Sequence, residues 1–395
     1  MLRKNHFLLA KNRSLCEKEE DMKSVGIINF HRANNYGAVL QAYAIMRAVS
    51  NLGYRAEIID FIPEALILNY QAKTEFRKLV KQLGILRATR SFIKRLPGKR
   101  VRAIRERLFT EMREEFLILS REKYSAPEDL RKNPPKYDAY ITGSDQVWNP
   151  SMKKARGDSY FLDFVDDGFL KVSYAASIAE PVPSDLVNEY ARLIKRFDFI
   201  SVREKSAKEF LRPLVEKDIE VTLDPTLLLS EKEWAELMKN NPVNSKYILV
   251  YDLARSKMLT QGANEISLKT RYPIVSFSSS RNYRNGLYSF ASSSPGEFLS
   301  LIRDAEVVLS SSFHGVAFSV VFGKPFLAFA SNKRSSRIVD FLELLEVEDR
   351  IVDDNTSIEI IANSPIDYVK TRKLLESERE KSIQFLKNAL SSLER

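Results

Sequence analysis

Short apolar runs alternate with helix-period stretches along most of the chain. SVGIIN (24–29) reads as a strand and is followed by the loop HRANNYG. Residues 37–52 then place Val39, Leu40, Tyr43, Ala44, Met46 and Val49 at helical spacing. Gly53 ends that helix, and AEIIDF (56–61) is the next strand, so the first sixty residues predict a β-α-β unit with parallel strands. The rhythm resumes with DAYITG (138–143), KVSYAASI (171–178), FDFISVR (197–203) and a short strand over 220–224. A polar, proline-containing stretch near 230–246 separates these from YILVYD (247–252), a strand over 273–278, VVL (307–309) and the run 326–329. The expected fold is α/β, with two Rossmann-like domains facing each other across a cleft. The first spans 23–235 and the second 245–365. Residues 63–135 break the pattern and predict two or more helices inserted in the first domain, with Leu79, Val80, Leu83, Leu86, Phe92, Ile93 and Leu96 as their apolar face. The tail, 366–395, predicts a helix packing back on the first domain, and 1–22 a disordered extension.

Composition narrows the class. The chain has 395 residues, 44% hydrophobic and 29% charged, in the range of soluble globular proteins. No run approaches the roughly 20 apolar residues needed to cross a bilayer, and the apolar patch near Phe7 is too short for a signal peptide. Cys16 is the single cysteine, which excludes an internal disulfide and a cysteine metal cluster. No other metal-ligand spacing is visible, so neither metal nor cofactor is expected, and the expected location is cytoplasmic. The net charge of +10 is local: residues 73–107 hold thirteen Lys/Arg against two acids, and the remainder is nearly neutral. That segment is either a surface for anionic lipid or a phosphorylated acceptor, or a solvated helical insertion. No aromatic stacking module accompanies it, so no nucleic-acid partner is expected. The loop before the first helix has Gly37 alone, which argues against a dinucleotide cofactor.

The densest chemistry lies in VVLSSSFHGVAFSVVFGKPFLAF (307–329), which reads as strand, turn, helix, strand. Ligands of open α/β sheets sit beyond the carboxyl ends of the strands, and helix N-termini attract anions. Ser311 and Ser312 can add hydroxyl donors, Gly315 can let a ligand approach the backbone, and His314 can bind an anion or move a proton. A serine N-cap with a histidine that happens to lie nearby accounts for the same letters.

SSFHGVAFSVVFGKPF resembles the SFHG signature of the polysaccharide pyruvyltransferase family. NNYGAVLQAYA, GSDQVWNP, KVSYAASI and DPTLLL resemble further motifs of that family, in matching order over about residues 23–350. Many members carry an acidic residue directly after the glycine of the first motif. Here it is Ala38, so no catalytic carboxylate is carried over to that position.

The resemblance implies a fold similar to GT-B glycosyltransferases. It also implies transfer of a pyruvyl group from phosphoenolpyruvate to two hydroxyls of a sugar, giving a ketal. The donor then needs cations and N–H groups: Arg203, Ser311, Ser312, His314, Gly315, Lys324 and Arg337, with Arg334 a weaker choice. His314 is the expected general acid, there being only His6 and His31 besides. Arg203 could instead pair with Glu204 or Glu216. The acceptor side is expected at Asn35, Tyr36, Asp145, Gln146, Trp148 and Asn149, with Trp148 as an apolar platform for a pyranose ring or, alternatively, a mere anchor. The acceptor could be lipid-linked, with the basic segment touching an anionic membrane. A nucleotide-sugar glycosyltransferase and a non-catalytic binding protein are the competing classes.

Overall fold

The apolar runs pair as parallel strands in two sheets. The computed structural model describes residues 22–63, 96–153, 157–277, 287–330, 336–352 and 365–394. The N-terminal extension before Met22, most of the basic segment (64–95) and Arg334 lie outside the described residues. The first sheet comprises β1 (Ser24–Ile28), β2 (Arg55–Phe61), β3 (Leu119–Tyr124), β4 (Ala139–Thr142), β5 (Leu170–Ala176), β6 (Phe199–Val202) and β7 (Ile219–Val221), in the order β3-β2-β1-β4-β5-β6-β7. The second comprises β8 (Ile248–Tyr251), β9 (Ile274–Ser276), β10 (Leu287–Ser289), β11 (Val307–Ser310) and β12 (Phe326–Ala328), in the order β10-β9-β8-β11-β12. Every neighbouring pair is parallel. Strands such as β1 and β8 are buried along their whole length, as strands covered on both faces require. Both sheets have the doubly wound α/β form.

The helices that frame the site are α1 (Tyr36–Asn51), α2 (Leu96–Phe116), α3 (Lys205–Leu211), α4 (Pro295–Arg303), α5 (Phe313–Val321), α6 (Ser336–Leu344) and α7 (Tyr368–Leu390). α1 is buried almost all round because it lies between the first sheet and the second domain. Its Tyr36 ring stacks on Phe298 of α4 at 4.4 Å and 8°, and the Tyr36 hydroxyl donates to the Ser293 carbonyl at 3.0 Å. Trp234 packs edge-on against Phe318 of α5 at 5.0 Å. The two domains therefore share one continuous apolar core. α7 starts at the second domain, where the Tyr368 hydroxyl donates to the Lys324 carbonyl. It runs on to the first, where Arg379 donates to the Leu227 carbonyl and Ser382 Oγ accepts from Leu223 N.

The interval 63–135 is more than a helical insertion: β3 lies inside it and forms an edge of the sheet. Its sequence, LSREKY, exposes Arg121, Glu122 and Lys123, the charged face of an edge strand, so it carries no apolar run. Within the basic segment, Arg105 of α2 is engaged inside the protein. It lies 4.4 Å over the Tyr36 ring and donates to the Asn34 carbonyl, the Tyr36 hydroxyl and the Ala291 carbonyl. Arg107 pairs with Glu111 at 3.3 Å. No helix among the described residues is long and apolar enough to cross a membrane.

Candidate active site

The carboxyl ends of β4, β6 and β7 and the loop after β11 converge, and each contributes a charged or titratable group. Arg203 is the first residue beyond β6, and its side chain is almost fully buried. Nη1 donates to Asp224 Oδ2 at 2.6 Å and Nη2 to Asp145 Oδ1 at 3.4 Å. Its Nε has no partner. Burial opposes its charge, but Asp224, then Asp145 and Glu204, outweigh burial and raise its pKa.

Asp224, just after β7, gathers the most donors. Oδ2 accepts from Arg203 and from Gln41 Nε2 of α1. Oδ1 accepts from Thr226 N at 3.0 Å and Thr226 Oγ1 at 2.7 Å. Burial alone would raise its pKa, but Arg203, His314 and Thr226 together hold it below the ordinary carboxylate value.

His314 comes from the other domain, in the first turn of α5. Its Nε2 lies 3.9 Å from Asp224 Oδ2, beyond hydrogen-bond reach, and is buried without a partner. Its Nδ1 edge rests on Gly37 in the first turn of α1, where a Cβ would fall 2.1 Å from Nδ1. That close approach explains why a glycine follows Tyr36. Burial pushes the imidazole pKa down, so the ring is neutral near pH 7.

Arg337, in α6, places Nη1 3.6 Å from Asp145 Oδ1. Burial, then Arg203, brings its pKa down to about 10, which leaves it charged. Asp145 itself follows β4 with a left-handed φ of 66°. Its backbone carbonyl accepts from Ser177 N at 2.9 Å. Glu204 steadies this loop: Oε1 accepts from Ser177 Oγ, Ile178 N and Ala179 N. One carboxylate, Asp145, thus spans the buried Arg203 and the partly buried Arg337 at long distances from both.

Two cavities flank the cluster. One, of about 280 Å³, opens at Asp145 and is lined also by Phe30, Arg32, Asn35, Gln146 and Tyr160. The other, also about 280 Å³, is lined by Arg203, Lys205, Lys208, Asp224, Phe313 and Arg337. The arrangement can hold an anion on two or more cations and offer it a proton from His314.

The structure brings together Arg203, His314, Arg337 and Asp145, with Asn35 and Gln146 on the adjoining cavity. Other expected residues are occupied elsewhere. Trp148 is fully buried, stacked on Phe161 at 5.4 Å and 1°, and donates to the Tyr160 carbonyl, so it anchors the core and offers no face to a sugar. Asn149 is buried and caps the turn at Pro150 through Ser151 N. Tyr36 is consumed by the domain interface. Ser311 Oγ donates to Asp252 and accepts from Leu253 N and Ala254 N, which leaves it no role toward an anion. Gly315 is required by packing, because a Cβ would fall 2.2 Å from Ser310 Oγ. Lys324 lies beyond the C-terminal end of α5, next to Asp304, while His314 lies at the N-terminal end. A nine-residue helix separates the two ends by about 13 Å. Ser312 stands at the N-cap position with its hydroxyl making no cap bond.

Asp224, Gln41 and Glu204 were not expected as site residues. Asp224 opens the motif DPTLLL, which is the signal in the sequence that points to it.

The sequence profile of the polysaccharide pyruvyl transferase family matches residues 35–333, which include Asn35 and His314. No curated protein matches the chain. Among solved structures, UDP-GlcNAc 2-epimerase from Neisseria meningitidis bound to UDP-GlcNAc is similar at 12% identity, covering 94% of this chain and 100% of that one, with a TM-score of 0.46. The spinosyn forosaminyltransferase SpnP is similar at 10% identity over 95% and 100%, with a TM-score of 0.47. A UDP-GlcNAc 2-epimerase from Methanocaldococcus jannaschii in complex with UDP-GlcNAc and UDP is similar at 15% over 89% and 98%, also at 0.47. Likenesses this distant say nothing about chemistry.

Proposed function

The chain belongs to the polysaccharide pyruvyl transferase family, and from that premise we propose that it moves a pyruvyl group from phosphoenolpyruvate to two hydroxyls of a sugar in a surface polysaccharide or its precursor. The observation that carries this reading is the convergence of Arg203 and Arg337 on one carboxylate, with His314 from the facing domain beside them. One buried and one partly buried arginine around an acid make a ready anion seat. The donor's carboxylate or phosphate displaces Asp145 and takes its place between them. The cavity beyond, with Lys205 and Lys208, takes the second anionic group.

His314 Nε2 then supplies the proton. It is neutral at rest, and the arriving anion raises its pKa. Protonation of the methylene carbon leaves cationic character on the adjacent carbon, and a sugar hydroxyl adds there. The bond from that carbon to the phosphate oxygen breaks, and the second hydroxyl closes the ketal. One hydroxyl proton replaces the one His314 gave up, and the other leaves with phosphate. Asp224 positions Arg203, and its charge lies beside His314.

The experiment is incubation of the protein with phosphoenolpyruvate and a panel of glycosides, following phosphate release and the mass of a pyruvate ketal. Wild type should give both products and His314→Asn neither. Turnover by His314→Asn would remove the histidine from the reaction. Transfer from a nucleotide sugar instead would replace this reading with a glycosyltransferase.

A further inference from the structure

Three groups beside the site have no part in the chemistry above: His31, Arg32 and Asp60. They form a buried set at the carboxyl ends of β1 and β2. Asp60 is 1% exposed, and its Oδ1 accepts from Arg32 Nε at 2.7 Å and faces His31 Nε2 at 3.1 Å. Its Oδ2 accepts from Arg32 Nη2. His31 is fully buried, and its backbone N donates to Asn29 Oδ1 at 3.1 Å. A bidentate pair of this kind fixes a guanidinium plane while leaving its remaining edge to donate. The Arg32 side chain is 20% exposed, and the residue lines the cavity that ends at Asp145.

Most of the other residues lining that cavity are apolar. Tyr160 and Phe61 are buried, while Phe30 is half-buried and set edge-on to Tyr160 at 4.8 Å. Phe30 is therefore the ring that can present a face. The volume, about 280 Å³, lies at the small end of ligand pockets, which run from roughly 300 to 1,000 Å³, and suits one monosaccharide. A lining that combines apolar rings with hydrogen-bonding groups (Arg32, Asn35, Gln146) matches the mixed surface of a pyranose.

Charge selects among pyranoses. Among the described residues, Arg32 and Asp145 are the charged groups lining the cavity. Asp60 already neutralises Arg32, and Arg113, which is close by, is buried and does not line the wall. An anionic sugar therefore gains no net charge attraction from the free edge of the Arg32 guanidinium, whose charge Asp60 cancels, and it would meet the Asp145 carboxylate in the same lining.

We propose that this cavity is the seat of the acceptor's terminal sugar, that Phe30 and Arg32 are its specificity residues, and that the sugar it takes is an uncharged pyranose. The assignment of the sugar as acceptor rests on the pyruvyl transfer reading; the binding itself does not. Asp145 lines both this seat and the anion cluster, so a diol held here lies beside the cluster.

The test is direct binding, by saturation-transfer NMR and calorimetry, of p-nitrophenyl galactoside, mannoside, N-acetylglucosaminide and glucuronide to the full chain without phosphoenolpyruvate. At least one neutral glycoside should bind, and the glucuronide should bind at least tenfold more weakly. Phe30→Ala and Arg32→Gln should each lose about tenfold in affinity for the neutral glycoside, the loss of roughly one good contact. Because Arg32→Gln leaves Asp60 buried without its charged partner, Phe30→Ala and Arg32→Lys serve as variants that keep the fold, checked by melting. Unchanged affinity in Phe30→Ala and Arg32→Lys, a preference for the glucuronide, or binding of none of the four by wild type would overturn the proposal. If neutral glycosides bind here but phosphate is never released from phosphoenolpyruvate, the transfer reading fails and the sugar seat stands. If transfer occurs and the Phe30 and Arg32 variants keep the wild-type acceptor KM, the seat fails and the transfer reading stands.

Discussion

At the residue scale, His314 holds the account together, because its two faces are committed differently. Its Nδ1 edge is pressed on Gly37, while Nε2 is left beside Asp224 without a bond. Burial lowers the pKa of His314, and of His31, below the ordinary 6.5. Both therefore bind a proton less readily in the native chain than in the unfolded one. The stability this contributes is fully present above about pH 6.5 and falls as pH drops toward their native values. Melting temperature should thus fall as pH is lowered from about 7 to about 5, and the fall should be shallower in His314→Gln. Equal slopes in the two proteins would show that His314 is not held neutral by burial. Residue chemistry read from letters picked out Arg203, Arg337 and His314, which the fold brings together. It misjudged Trp148, because an aromatic after a strand suits a sugar platform and a core anchor equally, and only its stacking on Phe161 decides.

At the element scale, strands with apolar runs were legible and strands without them were not. β3 carries charges because it is an edge, and β10 follows a polar stretch and is three residues long. Lys324 shows the matching error for helices: ten positions from His314 in sequence means opposite ends of α5 in space. α2 illustrates how a basic run can be internal glue. Arg105 bonds residues of both domains and lies over Tyr36 and Phe109. Arg105→Ala should destabilise the protein by about 1.5–3 kcal/mol, the usual worth of charged hydrogen bonds, measured by denaturant unfolding. A change within error would make Arg105 a surface residue with no part in joining the domains.

At the scale of the whole molecule, the site exists only because two sheets present their carboxyl ends to one another. Arg203, Asp224 and Asp145 come from the first domain, His314 and Arg337 from the chain beyond β10. The alternation of strands and helices made the two units legible. Which groups would meet across the cleft was not, since His314 and Asp224 belong to different domains and are brought together only by the fold. The central claim is that this junction is an anion seat for phosphoenolpyruvate. Calorimetry with phosphoenolpyruvate on wild type, Arg203→Ala and His314→Asn tests it most directly. The account predicts binding to wild type, a loss of at least tenfold in Arg203→Ala, since a charged hydrogen bond is worth about 1.5–3 kcal/mol, and affinity within a few-fold of wild type in His314→Asn. Wild-type affinity in Arg203→Ala, or binding of UDP-GlcNAc with none of phosphoenolpyruvate, would contradict it.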